Sequence, residues 1–143
     1  MDETKLSMFS FVNETHLADK VPDDFKVDHA FECCGGGGSY YAIKQIIDTI
    51  NPQGTLMLMG VTEEEVPIAT RMVLERGLTL VGCSRSGRFD FENTINFLKD
   101  KKIQNRIERI ISETVEINSI EDIYTSFEKD LVNPFKTVLK WNI

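Results

Sequence analysis

The sequence predicts an α/β fold, a parallel sheet with flanking helices, and three features predict it. Between residues 26 and 84, short apolar runs alternate with runs of helical period in the order strand, helix, strand, helix, strand. The middle run, "TLMLMGV", is apolar throughout, as a strand buried on both faces requires. Glycine-bearing turns (Gly35 to Gly38, "NPQG", Gly77) fall where strands and helices exchange. Strands alternating with helices in this way pair in parallel through right-handed crossovers.

Residues 5–21 carry no single pattern. "FSFV" suits a helix end or a strand, and "THLADKVPDDF" reads as a short strand followed by a Pro-Asp turn. "KVDHAFEC" reads as the first sheet strand. "SYYAIKQIIDTI" places Ala42, Ile43, Ile46, Ile47 and Ile50 on one helical face, with Ser39 as its expected N-cap. "NPQG" is expected to stop that helix and lead into "TLMLMGV". "PIATRMVLERG" reads as a helix closed by Gly77, and "LTLVGCS" as a third strand. The tail departs from the alternation. "FDFENTINFLKDKK" predicts an amphipathic helix through Phe91, Ile95 and Leu98, and "IERIISETVEI" a strand. "NSIEDIYTSFEKDL" carries a capping-box pattern, Asn118 and Ser119 followed three residues later by Glu121 and Asp122. Its apolar face runs through Ile120, Ile123, Tyr124 and Phe127, and "KTVLKWNI" closes the chain as a strand.

At 143 residues the chain suits one domain with a real core. The net charge of −7 argues against a general nucleic-acid binder, which needs clustered Lys and Arg. No apolar run approaches the roughly 18 residues of a membrane span, and "MDETKLSMFS" is not a basic-then-apolar leader. Three cysteines, with Cys33 and Cys34 adjacent and Cys83 apart, make a poor disulfide framework. They are expected as small buried apolar residues in a reducing cytoplasm. His16 and His29 have no ligand-like spacing to them, so no metal site is expected.

The glycine run invites a test against the phosphate-binding loops. A dinucleotide fingerprint needs Gly-x-Gly-x-x-Gly/Ala, but the sixth position is Tyr40 or Tyr41, depending on which glycine starts the count. A P-loop needs Gly-Lys-Ser/Thr, but Ser39 and Tyr40 follow Gly38. Both motifs fail. What remains is a turn at the carboxyl end of a parallel strand, the edge where open α/β sheets bind ligands, set against the plainer reading of a flexible connection.

The succession "VDHAFECCGG", "INPQGTLMLMGV", "LERGLTLVGCSRSG" and "KTVLKW" resembles the C-terminal part of a medium-chain dehydrogenase/reductase of the zinc alcohol dehydrogenase superfamily. Within it, "FEC", "GVTEEEVPIATRMVLERGLTLVGCSRSG" and "KTVLKW" are most similar to the ribulose-5-phosphate reductases, which make ribitol 5-phosphate with NADPH for teichoic acid or capsule synthesis. The resemblance covers nearly the whole chain. It implies a partial Rossmann cofactor domain over residues 1–88, and a helix and catalytic-domain segment over residues 89–143. It implies a piece of a longer protein, without the zinc ligands of the catalytic domain and without the first βαβ unit that carries the glycine fingerprint. On that basis no catalytic residue and no metal ligand carries over, and reductase activity is not expected of the chain alone.

Cofactor contacts do carry over as implications of the resemblance. Lys5 matches a lysine near the adenosine ribose, and Cys34 and Gly35 line the nicotinamide ribose side. Gly60 and Val61 border the nicotinamide, as do Ser84 and Arg85, and Lys136 matches the basic residue near the pyrophosphate. Each has a plainer reading: solvated charge for Lys5 and Lys136, a strand-end turn for Gly60, a neighbouring carboxylate for Arg85. "RSGR", Arg85 to Arg88, is the densest basic patch and offers a bidentate anchor for a sugar phosphate. Without the missing strands, the edge at residues 27–34 is expected to be covered by residues 5–20 or by another chain. The far edge, Leu78 to Gly82, is expected to form a homodimer. The competing reading is a stand-alone α/β module that binds a nucleotide or sugar phosphate for regulation.

Overall fold

The computed structural model describes residues 3–142. They form two compact units, Ala18–Arg85 and the described part of Met1–Leu17 with Ser86–Ile143. In the first unit, β1 (Val27–Glu32), α2 (Gly38–Thr49), β2 (Ile50–Leu58), α3 (Thr70–Arg76) and β3 (Thr79–Gly82) follow one another, α1 (Glu3–Ser7) belonging to the other unit. The sheet order is β1-β2-β3 and both pairings are parallel. Leu56 of β2 lies opposite Ala30 of β1 and Leu80 of β3, which puts it at the centre of the sheet. The core gathers there: Ile43 and Ile47 from α2, Ile50 and Leu56 from β2, and Leu78 ahead of β3. The four-residue spacing of Ile43 and Ile47 is what presents them on the same helical face.

Two local features sharpen the sequence reading. Ile50 is buried as expected, but it is the first residue of β2 and no longer helical (φ −67, ψ 139). Helix α2 ends where the Arg76 guanidinium hydrogen-bonds to the carbonyls of Ile47 and Ile50, satisfying acceptors the helix leaves open. "NPQG" is a tight loop-out within the bounds of β2. The register passes from Val27↔Ile50 to His29↔Thr55 there, and Gln53 adopts φ 65. A Cβ on Gly54 would lie 2.6 Å from Ile50 Cγ1 and 2.9 Å from the Asp28 carbonyl oxygen, so only glycine fits. Gly77 ends α3 in the left-handed region (φ 59), as the sequence predicts.

In the second unit, α4 (Arg88–Phe97), α5 (Lys101–Ile107), a 3-10 turn (Glu108–Ile110), β4 (Ile111–Ile117), α6 (Ile120–Val132) and β5 (Lys136–Trp141) follow in order. The expected helix around Phe91 and Ile95 stops at Phe97, and Asp100 caps a new one by accepting from the Lys102 N–H at 2.8 Å. β4 and β5 pair in parallel, and α6 crosses between them. The capping box at the start of α6 forms between Ser119 and Asp122. Its expected core face buries only in part: Ile123 is half-buried, Ile120, Tyr124 and Phe127 are exposed, and the fully buried residue of α6 is Ser126.

Three expectations are corrected. Cys33, Cys34 and Cys83 are exposed instead of buried, because they lie beyond the last paired residues of β1 and β3, in turns that leave the sheet. Ser39 is not the N-cap of α2: Gly37 is, and the Ser39 hydroxyl donates elsewhere. Residues 8–26 contain no strand, so the outer edge of β1 takes no strand from the described residues. Leu56→Ala should cost about 2–5 kcal/mol, read as a lower urea midpoint with an unchanged slope. A cost below about 1 kcal/mol would show that the sheet does not centre on it.

Candidate functional site

Glu32 is the last residue of β1 and is 2% exposed. A glutamate is among the residues least often buried without a partner, and its partners here are all donors. Oε1 accepts from the Cys34 N–H at 2.8 Å, the Gly35 N–H at 3.3 Å and the Ser39 hydroxyl at 2.9 Å. Oε2 accepts from the Gly60 N–H at 3.1 Å. Burial pushes the carboxyl pKa up, but the hydrogen bonds from Ser39, Cys34, Gly35 and Gly60 outweigh it and hold the group below its ordinary value. With the folded value depressed, the stabilisation is complete above the unfolded value and is lost as pH falls through the folded one.

The carboxylate thereby joins the turn after β1 to the turn after β2. The backbone carbonyl of Glu32 also accepts from the N–H groups of Met59 and Gly60, and the Gly36 N–H donates to the Val61 carbonyl at 2.8 Å. Glycine is required at the junction. A Cβ on Gly60 would lie 2.5 Å from the Gly35 nitrogen and 2.6 Å from both carboxylate oxygens of Glu32. Gly35 takes φ 70, and a Cβ there would come 3.0 Å from the Val61 oxygen. Beside this junction opens a cleft of about 500 Å³ lined by Gly36, Gly37, Tyr40, Val61 and the exposed run Glu63, Glu64 and Glu65. It lies at the carboxyl ends of parallel strands, the edge where α/β sheets take ligands. The carboxylates at its mouth repel a phosphate and suit an uncharged or cationic ligand portion.

The structure brings Gly35, Gly60 and Val61 together at this junction. The Cys34 backbone belongs to it, but that residue lines a separate open groove of about 820 Å³ with Pro22, Gly38 and Tyr41. Ser84 and Arg85 are exposed and follow β3 in the same unit, with Arg85 at φ 62. Lys5 in α1 and Lys136 in β5 belong to the other unit, as does Arg88, whose Nε bonds Glu92 at 2.7 Å. Among the described residues, no group of three or more His, Cys, Asp or Glu side chains comes together to hold a metal. Sequence reasoning missed Glu32. The signal was present in "FECCGG", a carboxylate at the end of a strand and three positions ahead of the first glycine, whose N–H can turn back to it.

The model of a family described as zinc-binding dehydrogenase matches residues 6–100. A ribulose-5-phosphate reductase from Streptococcus pneumoniae is 49% identical over 139 residues, which is 97% of this chain and 40% of that protein. Ribulose-5-phosphate reductase 2 of Staphylococcus aureus is 45% identical over 141 residues, 97% of this chain and 41% of that protein. The chain thus spans well under half the length of these relatives. The crystal structure of S. aureus TarJ in complex with NADPH superposes with a TM-score of 0.93 at 43% identity, over 99% of this chain and 45% of that one.

The Gly60 junction can be tested directly. Gly60→Ala should cost about 1–3 kcal/mol or more through overpacking. Gly37→Ala, where a Cβ meets nothing within 4 Å, should stay within about 0.5 kcal/mol. Equal urea midpoints for the two variants would refute the close approach.

Proposed function

The chain belongs to the zinc-binding dehydrogenase family, and from that premise we propose that it supplies the nicotinamide-side part of the cofactor domain of an NADPH-dependent reductase acting on ribulose 5-phosphate. The observation that carries this reading is the junction of Gly35 and Gly36 with Gly60 and Val61 under a cleft at the strand ends, in a chain 49% identical to a ribulose-5-phosphate reductase. NADPH supplies a hydride when bound. The chain's own part is to hold the turns after β1 and β2 together, with Gly35 and Gly60 meeting without a Cβ between them, so that Gly36, Gly37 and the exposed Val61 line the cleft where a flat ring would lie. The acidic run Glu63 to Glu65 fits this half of a dinucleotide better than its phosphates. Lys5 and Lys136 remain the proposed partners of the adenosine ribose and pyrophosphate, and Ser84 and Arg85 further neighbours of the nicotinamide. An arginine of the Arg85 to Arg88 stretch is the proposed anchor for the sugar phosphate.

The reading concerns the assembly in which polypeptide equivalent to the rest of those relatives accompanies this chain, whether continuous with it or separate. The exposed stripe Ile120, Tyr124, Phe127 and Leu131 on α6 is an apolar surface such polypeptide would cover. Three exposed free thiols favour a reducing compartment, the cytoplasm.

A chimera in which this chain replaces the matching segment of the S. pneumoniae reductase should oxidise NADPH when ribulose 5-phosphate is added, and the chain alone should not. A folded but inactive chimera beside an active parent, or turnover by the chain alone, would reject the reading. The outer edge of β3 takes no strand among the described residues, and we propose a two-fold dimer through it. Sedimentation at micromolar concentration should give the dimer mass, and a monomer counts against it.

A further inference from the structure

Resting on the reading above, we propose that Glu32 is the positioning residue of the cleft, an ionised carboxylate whose two oxygens hold the turn after β1 and the turn after β2 at a fixed separation. Every polar group that meets it is a donor: three backbone N–H groups and the Ser39 hydroxyl. Among the described residues no cation meets it, and its charge is compensated there by oriented dipoles. Helix α2 adds to this, since Ser39 lies in its first turn, a place that favours negative charge, and that turn has no acidic residue of its own. A protonated acid would set an O–H against one of these donors. The ionised form alone accepts from all four donors as they stand, with the Ser39 hydroxyl donating.

The two oxygens divide the work. Oε1 serves the Cys34 side, and Oε2 shares the Gly60 N–H with the main-chain carbonyl of Glu32. The Gly60 turn carries Val61, whose carbonyl ties back to Gly36 and whose side chain is exposed at the cleft. The carboxylate therefore touches no ligand and acts through the backbone that does.

Glu32→Gln keeps the length and shape of the side chain and loses one acceptor. With its carbonyl oxygen toward Cys34 and Ser39, its amide nitrogen faces the Gly60 N–H, donor against donor. In the full chain, amide exchange should quicken about tenfold at Gly60 and Gly36 and stay within about threefold at Cys34 and Leu56. Equal quickening at all four positions, or none at Gly60, overturns the proposal. In the chimera, the Kd for NADPH should rise about tenfold in E32Q. It should stay within about threefold in E75Q, the same change at an exposed carboxylate of α3 that pairs with Arg71 outside the junction. An unchanged Kd in E32Q overturns the positioning role. If the unsubstituted chimera binds no NADPH, the reductase reading fails by itself, and the exchange pattern in the full chain still decides the clamp. Should E32Q not fold, the wild-type chain decides. The Glu32 carboxyl carbon should keep its ionised chemical shift as pH falls through the ordinary glutamate value, and titration at or above that value overturns the proposal.

Discussion

The buried carboxylate of Glu32 is the constraint on which the ligand edge of the first unit depends. A parallel sheet fixes its strands through the ladder but leaves the turns at the strand ends to make their own arrangements. Here the turns after β1 and β2 find a shared acceptor. A charge taken out of water is tolerated only when donors replace its hydration, and Glu32 is 2% exposed with four of them. The need runs both ways. The N–H groups of Cys34, Gly35 and Gly60 lie beyond the last ladder pair; the carboxylate takes the first two and shares that of Gly60 with the main-chain carbonyl of Glu32. One residue, through its carboxylate and its main-chain carbonyl, accepts from both turns.

That arrangement explains the glycines better than a phosphate loop does. The run Gly35 to Gly38 looks like a cradle for an anion, yet its N–H groups at Gly35 and Gly36 already have acceptors, the Glu32 carboxylate and the Val61 carbonyl. Within the run, glycine is required by positive φ at Gly35 and Gly36 and by close approach at Gly35. Gly37, where a Cβ meets nothing, is a helix N-cap. The same spelling therefore covers three different physical demands, which is why motif matching alone misjudges it.

Much of the fold could be read from the chain because the pattern and the packing agree. Ile43, Ile47 and Leu56 follow helical and strand periods and meet in one core, and Gly77 and Ser119 close and open helices as their chemistry dictates. What could not be read depends on partners distant in sequence. The end of α2 is fixed by Arg76, which reaches back to the carbonyls of Ile47 and Ile50. Glu32 reads as a polar interruption until Gly60, 28 residues on, is seen to donate to it. The cysteines have the composition of core residues but fall in turns. On α6 the periodicity is correct and the inference from it is not: Ile120, Tyr124 and Phe127 share a face, but β4 and β5 take the side that carries Ser126. Periodicity reports that a face is apolar and not what covers it.

Charge then decides which part of a ligand the cleft can hold. Glu63, Glu64 and Glu65 stand at its mouth in solvent. Screening limits exposed charges to roughly 8–10 Å at ordinary ionic strength, but a cleft of about 500 Å³ lies within that reach. A phosphate entering there meets like charge and finds the N–H groups of Gly35 and Gly36 already engaged. A planar, uncharged or cationic group meets neither obstacle, and Gly36, Gly37 and the exposed Val61 line the space it would enter. With the Gly35 N–H held by the Glu32 carboxylate and the Gly36 N–H by the Val61 carbonyl, these two donors of the glycine-rich strand end are not free for an anion.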